Sequence, residues 1–210
     1  MKKNCTEVVF VLDRSGSMCG LEKDTIGGFN SLINKQKKQD GEVLVSTVLF
    51  NDSSVVIHDR KPIDEVRLMT NKDYVVYGCT ALLDALGSSI RHIGNIHKYA
   101  RVEDVPEHTM FVIITDGMEN ASRYYSKERV KSMIEYEKEK YGWEFLFLAA
   151  NMDAIDTASQ YGIDKDHAVN YQCDSVCTRL NYEVLDEAIQ CICSGVPLSK
   201  SWKSKIEKCK

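Results

Sequence analysis

Two apolar runs, each ending in an acid, constrain this chain more than any other feature. Val8-Val9-Phe10-Val11-Leu12 leads straight into Asp13, and the run from Met110 to Ile114 leads into Thr115-Asp116-Gly117. A β-rich run with no polar face has nothing to turn toward water, so it belongs inside a parallel sheet covered on both sides. Between the strand candidates lie helical patterns. Ile26, Phe29 and Ile33 recur at helical spacing; Leu82, Ala85, Leu86, Ile90 and Ile93 form one apolar stripe, and Leu185, Ala188, Ile189 and Ile192 form another. Strands alternating with amphipathic helices are the signature of a wound α/β sheet.

Strands are predicted at 7–12, 43–50, 53–58, 110–114, 144–150 and 168–171, and helices from about 26 to the basic run 35–38, from 81, at 126–140, at 153–161 and at 175–193. Asn51-Asp52 is too short to hold a crossover helix, so the second and third strands pair antiparallel and the third is a sheet edge. The fold class is therefore α/β: a Rossmann-like, doubly wound, mostly parallel six-stranded sheet, order 3-2-1-4-5-6, with one antiparallel edge strand and helices on both faces. A less regular stretch around 62–77 reads as a short helical turn and a surface loop. One domain covers 1–194, and 195–210 is a basic, Lys- and Ser-rich tail, either frayed or docked through Trp202.

Bulk properties narrow the function classes. A formal net charge of −4 gives no general footing for nucleic acid, and the runs at 35–38 and in the tail read as solvated helix ends. No apolar run is long enough to span a bilayer, and the N-terminus lacks a small-residue cleavage pattern, which together predict a soluble, cytoplasmic protein with no membrane partner. The cysteines at 5, 19, 79, 173, 177, 191, 193 and 209 are scattered, and in a reducing cytosol they serve as small apolar fillers. A zinc site from Cys173, Cys177, Cys191 and Cys193 is disfavoured, because Cys-x-Cys on a helix points its thiols to different faces. His58, His92, His97, His108 and His167 show no ligand spacing and read as exposed or capping groups. There is no Gly-x-x-x-x-Gly-Lys-Ser/Thr loop, His-Glu-x-x-His or Gly-x-Ser-x-Gly elbow.

What remains is the loop Asp13-Arg14-Ser15-Gly16-Ser17. One acid and two hydroxyls at alternate positions, on a glycine-containing turn between a buried strand and a helix, are hard oxygen donors suited to Mg²⁺, Mn²⁺ or Ca²⁺. The simpler alternative is that Ser15 or Ser17 caps the next helix, and that Thr80 caps the helix it opens. Topology weighs against capping. In a sheet of order 3-2-1-4-5-6, strands one and four lie side by side and ligands bind beyond their carboxyl ends. Asp13 ends strand one, Asp116 ends strand four, and Thr80 begins the helix that feeds strand four. Two carboxylates and three hydroxyls so gathered need a cation.

Asp13-x-Ser15-x-Ser17, Thr80 within Gly78-Cys79-Thr80-Ala81-Leu82, and Asp116 within Thr115-Asp116-Gly117 resemble, in order, the three segments of the metal-ion-dependent adhesion site (MIDAS) of von Willebrand factor A domains. The resemblance covers roughly residues 5–193. It implies a divalent ion, usually Mg²⁺, held by the two serines, with the threonine and the aspartates binding directly or through water. It also implies one coordination position for a Glu or Asp carboxylate of a partner protein, and a link between binding and movement of the last helix. Cys79 departs from the pattern, since many relatives carry glycine there. With Cys19 it brings two thiols near the site, either as a disulfide or loop-tuning pair or, more simply, as chance packing. Arg14 reads as a solvated arginine within reach of an acidic partner. Glu119 and Asn120 either line the rim or cap the loop that follows.

The expected function is a non-enzymatic, intracellular protein-interaction module within a larger assembly. The alternative is a Mg²⁺-dependent phosphotransferase or hydrolase of similar sheet layout. Such enzymes place a second acid two residues after the first as general acid. Here that position is Ser15.

Overall fold

A computed structural model describes residues 1–150, 153–172, 174–196 and 198–209. Strand β1 (Lys2–Asp13) lies between β2 (Glu42–Phe50) and β4 (Pro106–Thr115), parallel to both; β3 (Ser54–Pro62) adds antiparallel to β2, and β5 (Glu144–Ala149) and β6 (Ala168–Asn170) continue parallel beyond β4. The six-stranded order is β3-β2-β1-β4-β5-β6, as the apolar runs and the short Asn51-Asp52 connection predict. Pairing carries through to Asp13 opposite Phe50 and Leu12 opposite Ile114, so β1, β2 and β4 end at one level.

Successive side chains of β1 point to opposite faces, which divides the core in two. Val8, Phe10 and Leu12 pack with Phe29 of α1 (Glu22–Gln36) and Leu185 of α5 (Ser175–Cys193). Val9 and Val11 pack on the other side with Leu86 and Ile90 of α2 (Leu82–Tyr99) and with Val130 and Ile134 of α3 (Lys127–Tyr141); Ala154 and Ala158 of α4 (Ala154–Gln160) join that face. Both strands that end in an acid are thus covered on both sides.

Several local expectations are corrected. The ladder of β1 extends back to Lys2, beyond its apolar run, because backbone pairing with β2 and β4 and not hydrophobicity sets the strand's length. The stretch after β3 is more than a surface loop: Val66, Met69 and Tyr74 are buried in the core, and the Tyr74 hydroxyl donates to the Asp13 carbonyl. His58 is buried too, stacked on Phe29, and burial lowers its pKa. His97 pairs at 2.7 Å with Glu7, which is fully buried on β1 and also accepts from Arg60 Nε at 2.7 Å.

The tail docks. Trp202 is buried with Nε1 donating to the Asp166 carbonyl at 2.7 Å, Lys203 Nζ donates to the carbonyls of Lys165 and Ala168, and Ile206 of α6 (Ser204–Glu207) is buried. Cys209 forms a disulfide with Cys177 on α5. This corrects the reading of Cys177 and Cys209 as apolar fillers; Cys173 lies outside the described residues. Among the described residues no three His, Cys, Asp or Glu side chains cluster as metal ligands, and no helix is long and apolar enough to cross a membrane.

Helix α1 packs on α5 at Gly28. A Cβ at Gly28 would lie 2.2 Å from the Tyr182 ring. Overpacking of this kind costs about 1–3 kcal/mol, more than the ~0.5–1 kcal/mol that alanine gains over glycine within a helix. Gly28→Ala is therefore expected to lower stability in urea unfolding, whereas a higher midpoint would show that Tyr182 moves aside freely.

Candidate metal centre

The centre is built where β1 and β4 end. Asp13 is buried, and its Oδ2 accepts from Thr115 Oγ1 at 2.6 Å, across the β1–β4 pair. Its Oδ1 accepts from the Ser15 backbone N–H at 2.7 Å, which turns the chain sharply after the strand. From Thr80 a run of hydroxyls crosses the site. Thr80 Oγ1 donates to Ser15 Oγ at 3.0 Å, Ser15 Oγ lies 3.0 Å from Ser17 Oγ, and Ser17 Oγ donates to Asp116 Oδ1 at 2.6 Å. All five residues picked out from the sequence come together. Asp13, Ser15, Thr80 and Asp116 are buried and Ser17 is exposed, so the cluster opens to solvent on the Ser17 side.

The capping alternative does not survive. Ser15 precedes a short 3₁₀ turn at Gly16–Met18 without a side-chain cap bond, and α1 begins after Leu21, far from both serines. The residue preceding α2 is Ala81, and the Thr80 hydroxyl is spent on Ser15.

Three loops hold these side chains, and part of that scaffold is not apparent in the sequence. Thr115 anchors Asp13; its place in Thr115-Asp116-Gly117 was the available signal. Asn51 and Asp52, legible only as a turn, position the Thr80 segment: Asn51 Nδ2 donates to the Tyr77 carbonyl at 3.1 Å, its own carbonyl accepts from Ala81 N at 2.9 Å, and Asp52 Oδ1 accepts from Cys79 N at 3.1 Å. Gly16 N donates to the Gly78 carbonyl at 3.0 Å, joining the first loop to the second. Glu119 and Asn120 serve as caps: Glu119 accepts from the backbone of Leu83, Ala121 and Ser122, and Asn120 Oδ1 accepts from Thr80 N. Arg14 is not solvated as expected; it is buried with its guanidinium 5.7 Å from the Tyr77 ring centre, because Tyr77 N donates to its carbonyl and draws the loop over it. Cys19 and Cys79 are exposed free thiols, so neither buried packing nor a disulfide accounts for them.

Do these residues fit a cation? Gly117 gives the test. A Cβ there would stand 2.8 Å from Thr80 Oγ1, 3.0 Å from Ser17 Oγ and 3.6 Å from Ser15 Oγ, so the missing side chain leaves a cradle faced by three hydroxyls. The Thr80–Ser15 and Ser15–Ser17 spacings of 3.0 Å agree with the ~3.0 Å that ~2.1 Å metal–oxygen bonds at right angles impose, and the 2.6 Å between Ser17 and Asp116 is a shorter hydrogen bond. The donors are all hard oxygens, with two carboxylates to neutralise a divalent charge. The fit is good.

No family model matches the sequence, and no curated protein matches it. Solved structures do, and they show that the fold is that of von Willebrand factor A domains. The von Willebrand factor domain of the type V pili tip protein Mfa5 from Porphyromonas gingivalis matches with a TM-score of 0.67 at 10% identity, over 92% of this chain and 97% of that one. Proximal thread matrix protein 1 from the mussel byssus matches with a TM-score of 0.59 at 16% identity, over 90% of this chain and 47% of that one. The ArnB paralog VWA2 from Sulfolobus acidocaldarius matches with a TM-score of 0.55 at 16% identity, over 87% of this chain and 45% of that one. The chain thus spans about half the length of the mussel and Sulfolobus proteins. A second structure of the mussel protein is described as having a zinc-occupied MIDAS motif.

Burial raises the Asp13 pKa, hydrogen bonds from Thr115 and Ser15 oppose the rise, and the Asp116 charge adds to it; the net direction is up. A carboxyl whose folded pKa exceeds its unfolded value (~3.9) weakens the metal-free fold as it ionises. Its contribution therefore improves as pH falls from the raised folded value toward the unfolded one. In EDTA at neutral pH, Asp13→Asn is expected to raise the Tm and to flatten the wild type's gain on mild acidification; a lower Tm at neutral pH would contradict this.

Proposed function

We propose that this chain is a non-enzymatic protein-interaction module whose bound divalent cation receives a Glu or Asp carboxylate from a partner protein. The observation that carries the proposal is the convergence of Asp13, Ser15, Ser17, Thr80 and Asp116 from three separate segments, with none of the hydroxyls used as a helix cap. Asp13, Ser15, Ser17, Thr80 and Asp116 would hold the ion, which supplies Lewis acidity toward an incoming carboxylate. Mg²⁺ is the proposed ion, on the hardness of the donors, with Mn²⁺ or Ca²⁺ as substitutes. The zinc reported for the mussel protein supports a divalent cation in this fold without selecting which one.

The exposed Ser17 edge, with Met118 70% exposed beside it, suits docking of another protein. A hydrolase reading has nothing in its favour here, since the general-acid position two residues after Asp13 holds Ser15, whose hydroxyl bonds Thr80 and Ser17. The proposed compartment is the cytoplasm, on the free thiols Cys5, Cys19, Cys79, Cys191 and Cys193, although the Cys177–Cys209 bridge favours an oxidising one.

The test is thermal. Mg²⁺ at a hundred times its Kd stabilises the fold by about 2.7 kcal/mol, which for a domain of this size raises Tm by roughly 5–10 °C. Asp116→Ala is expected to abolish the shift, and Gly117→Ala to reduce it by filling the cradle. A melt unchanged between Mg²⁺ and EDTA would defeat the proposal.

A further inference from the structure

Beside the metal centre lies a cleft of about 710 Å³ that the metal reading does not use. Ala81 and Ala121 form the wall it shares with the centre. They adjoin Thr80 and Asn120, whose backbones are joined by Asn120 N donating to the Thr80 carbonyl at 3.0 Å. On the far side stand Arg91 of α2, Arg123 of the loop after β4, and Arg129 of α3. Three arginines thus line one cleft in a chain whose formal net charge is −4.

Surface arginines are commonly paired with a carboxylate or simply solvated; all three here are exposed, and two of them, Arg91 and Arg129, are also stacked on a ring. Among the described residues, none of the three lies in an ion pair. Arg91 and Arg129 instead pack against one ring, 6.0 Å and 5.1 Å from the centre of Tyr125, which is itself buried. Stacking orders a guanidinium while leaving its N–H donors for a ligand. The two acids in the cleft accept backbone hydrogen bonds. Asp84 accepts from the backbone N–H groups of Arg123, Tyr124 and Tyr125 at 2.7, 2.8 and 2.9 Å, and Asp52 accepts from Cys79 N. Asp84 thereby fixes the very loop that presents Arg123 and the 80% exposed Tyr124.

We propose that this cleft is a second anchor for the same partner, binding an acidic peptide segment in which one carboxylate reaches the metal and its neighbours pair with Arg91, Arg123 and Arg129. The inference deepens the metal-dependent reading and rests on it for the position of the first carboxylate. Arginine's planar fork matches carboxylates in bidentate fashion. The volume lies within the range of ligand sites and holds several side chains. Tyr124 supplies the exposed aromatic surface that protein interfaces favour.

The experiment uses a fluorescein-labelled octaglutamate peptide and fluorescence anisotropy on the full chain, in Mg²⁺ and in EDTA. The Arg91→Gln/Arg129→Gln double variant is expected to weaken binding at least tenfold. Arg91→Lys/Arg129→Lys recovers part of that loss, and Arg179→Gln, a remote arginine on α5, changes it less than twofold. The glutamine variant keeps the Mg²⁺-induced rise in Tm, which shows that it folds and that its centre is intact. Undiminished peptide binding by the double variant overturns the proposal, as does an absence of binding by wild type. So does a single-stranded oligonucleotide that displaces the peptide and binds more tightly through the same arginines. If Mg²⁺ fails to shift the Tm while arginine-dependent peptide binding persists in EDTA, the metal reading fails and the cleft stands.

Discussion

A carboxylate buried at the end of a buried strand is the constraint from which the site follows. Asp13 is removed from water by β2, β4 and the loop over it, and an unsatisfied charge in that position is costly. Two short hydrogen bonds, from Thr115 and from the Ser15 backbone, partly satisfy it. The first needs β4 beside β1 with its end at the same level. The second needs the chain to turn at once, which sends Ser15 and Ser17 upward beside Thr80. Satisfying one acid therefore gathers the other four residues of the cluster.

Asp116 makes that arrangement unfavourable without a counter-charge. Its effect on Asp13 is to raise the pKa further, the same direction as burial. Proteins hold like charges together where a ligand repays the strain, and a divalent cation among hard oxygens is the natural one. The rest of the scaffold is arranged to keep the site rigid and one edge open. Asn51, Asp52, Asn120 and Glu119 consume loop backbone groups, while Ser17, Met118 and Tyr124 face outward. The tail ties α5 to β6 through Trp202, Lys203 and the Cys177–Cys209 bridge. Any motion of α5 on binding has to carry that tail with it.

The surface around the candidate centre is asymmetric in charge. Its α2–α3 side carries the three arginines, and its two acids are turned into the backbone. A partner with a single acidic residue could meet a cation anywhere; one with an acidic stretch fits this face in a defined orientation. Electrostatic complementarity of that kind sets orientation and encounter rate more than affinity. Under the proposed function it would also give the centre a means of choosing among carboxylates, which an ion alone cannot do.

The sequence by itself determined the sheet order, the antiparallel edge and the five clustered residues. Unbroken apolar runs exclude any but a doubly covered parallel strand, and the winding of such a sheet brings the ends of strands one and four together. The last helix, expected near 175–193, spans Ser175–Cys193 with its stripe of Leu185, Ala188, Ile189 and Ile192 buried. Only the tertiary structure decided what surrounds the cluster. Arg14 looked solvated and is buried, Tyr74 looked like a loop residue and bonds Asp13, and Cys177 looked like a filler and pairs with Cys209. Arg91, Arg123 and Arg129 lie on two helices and a loop, and nothing in the spacing of Arg91 and Arg129 shows that those two share Tyr125. The physical reason is the same in each case. Periodicity reports which face of an element is apolar, whereas irregular segments and long side chains take their places from contacts between residues far apart in the chain.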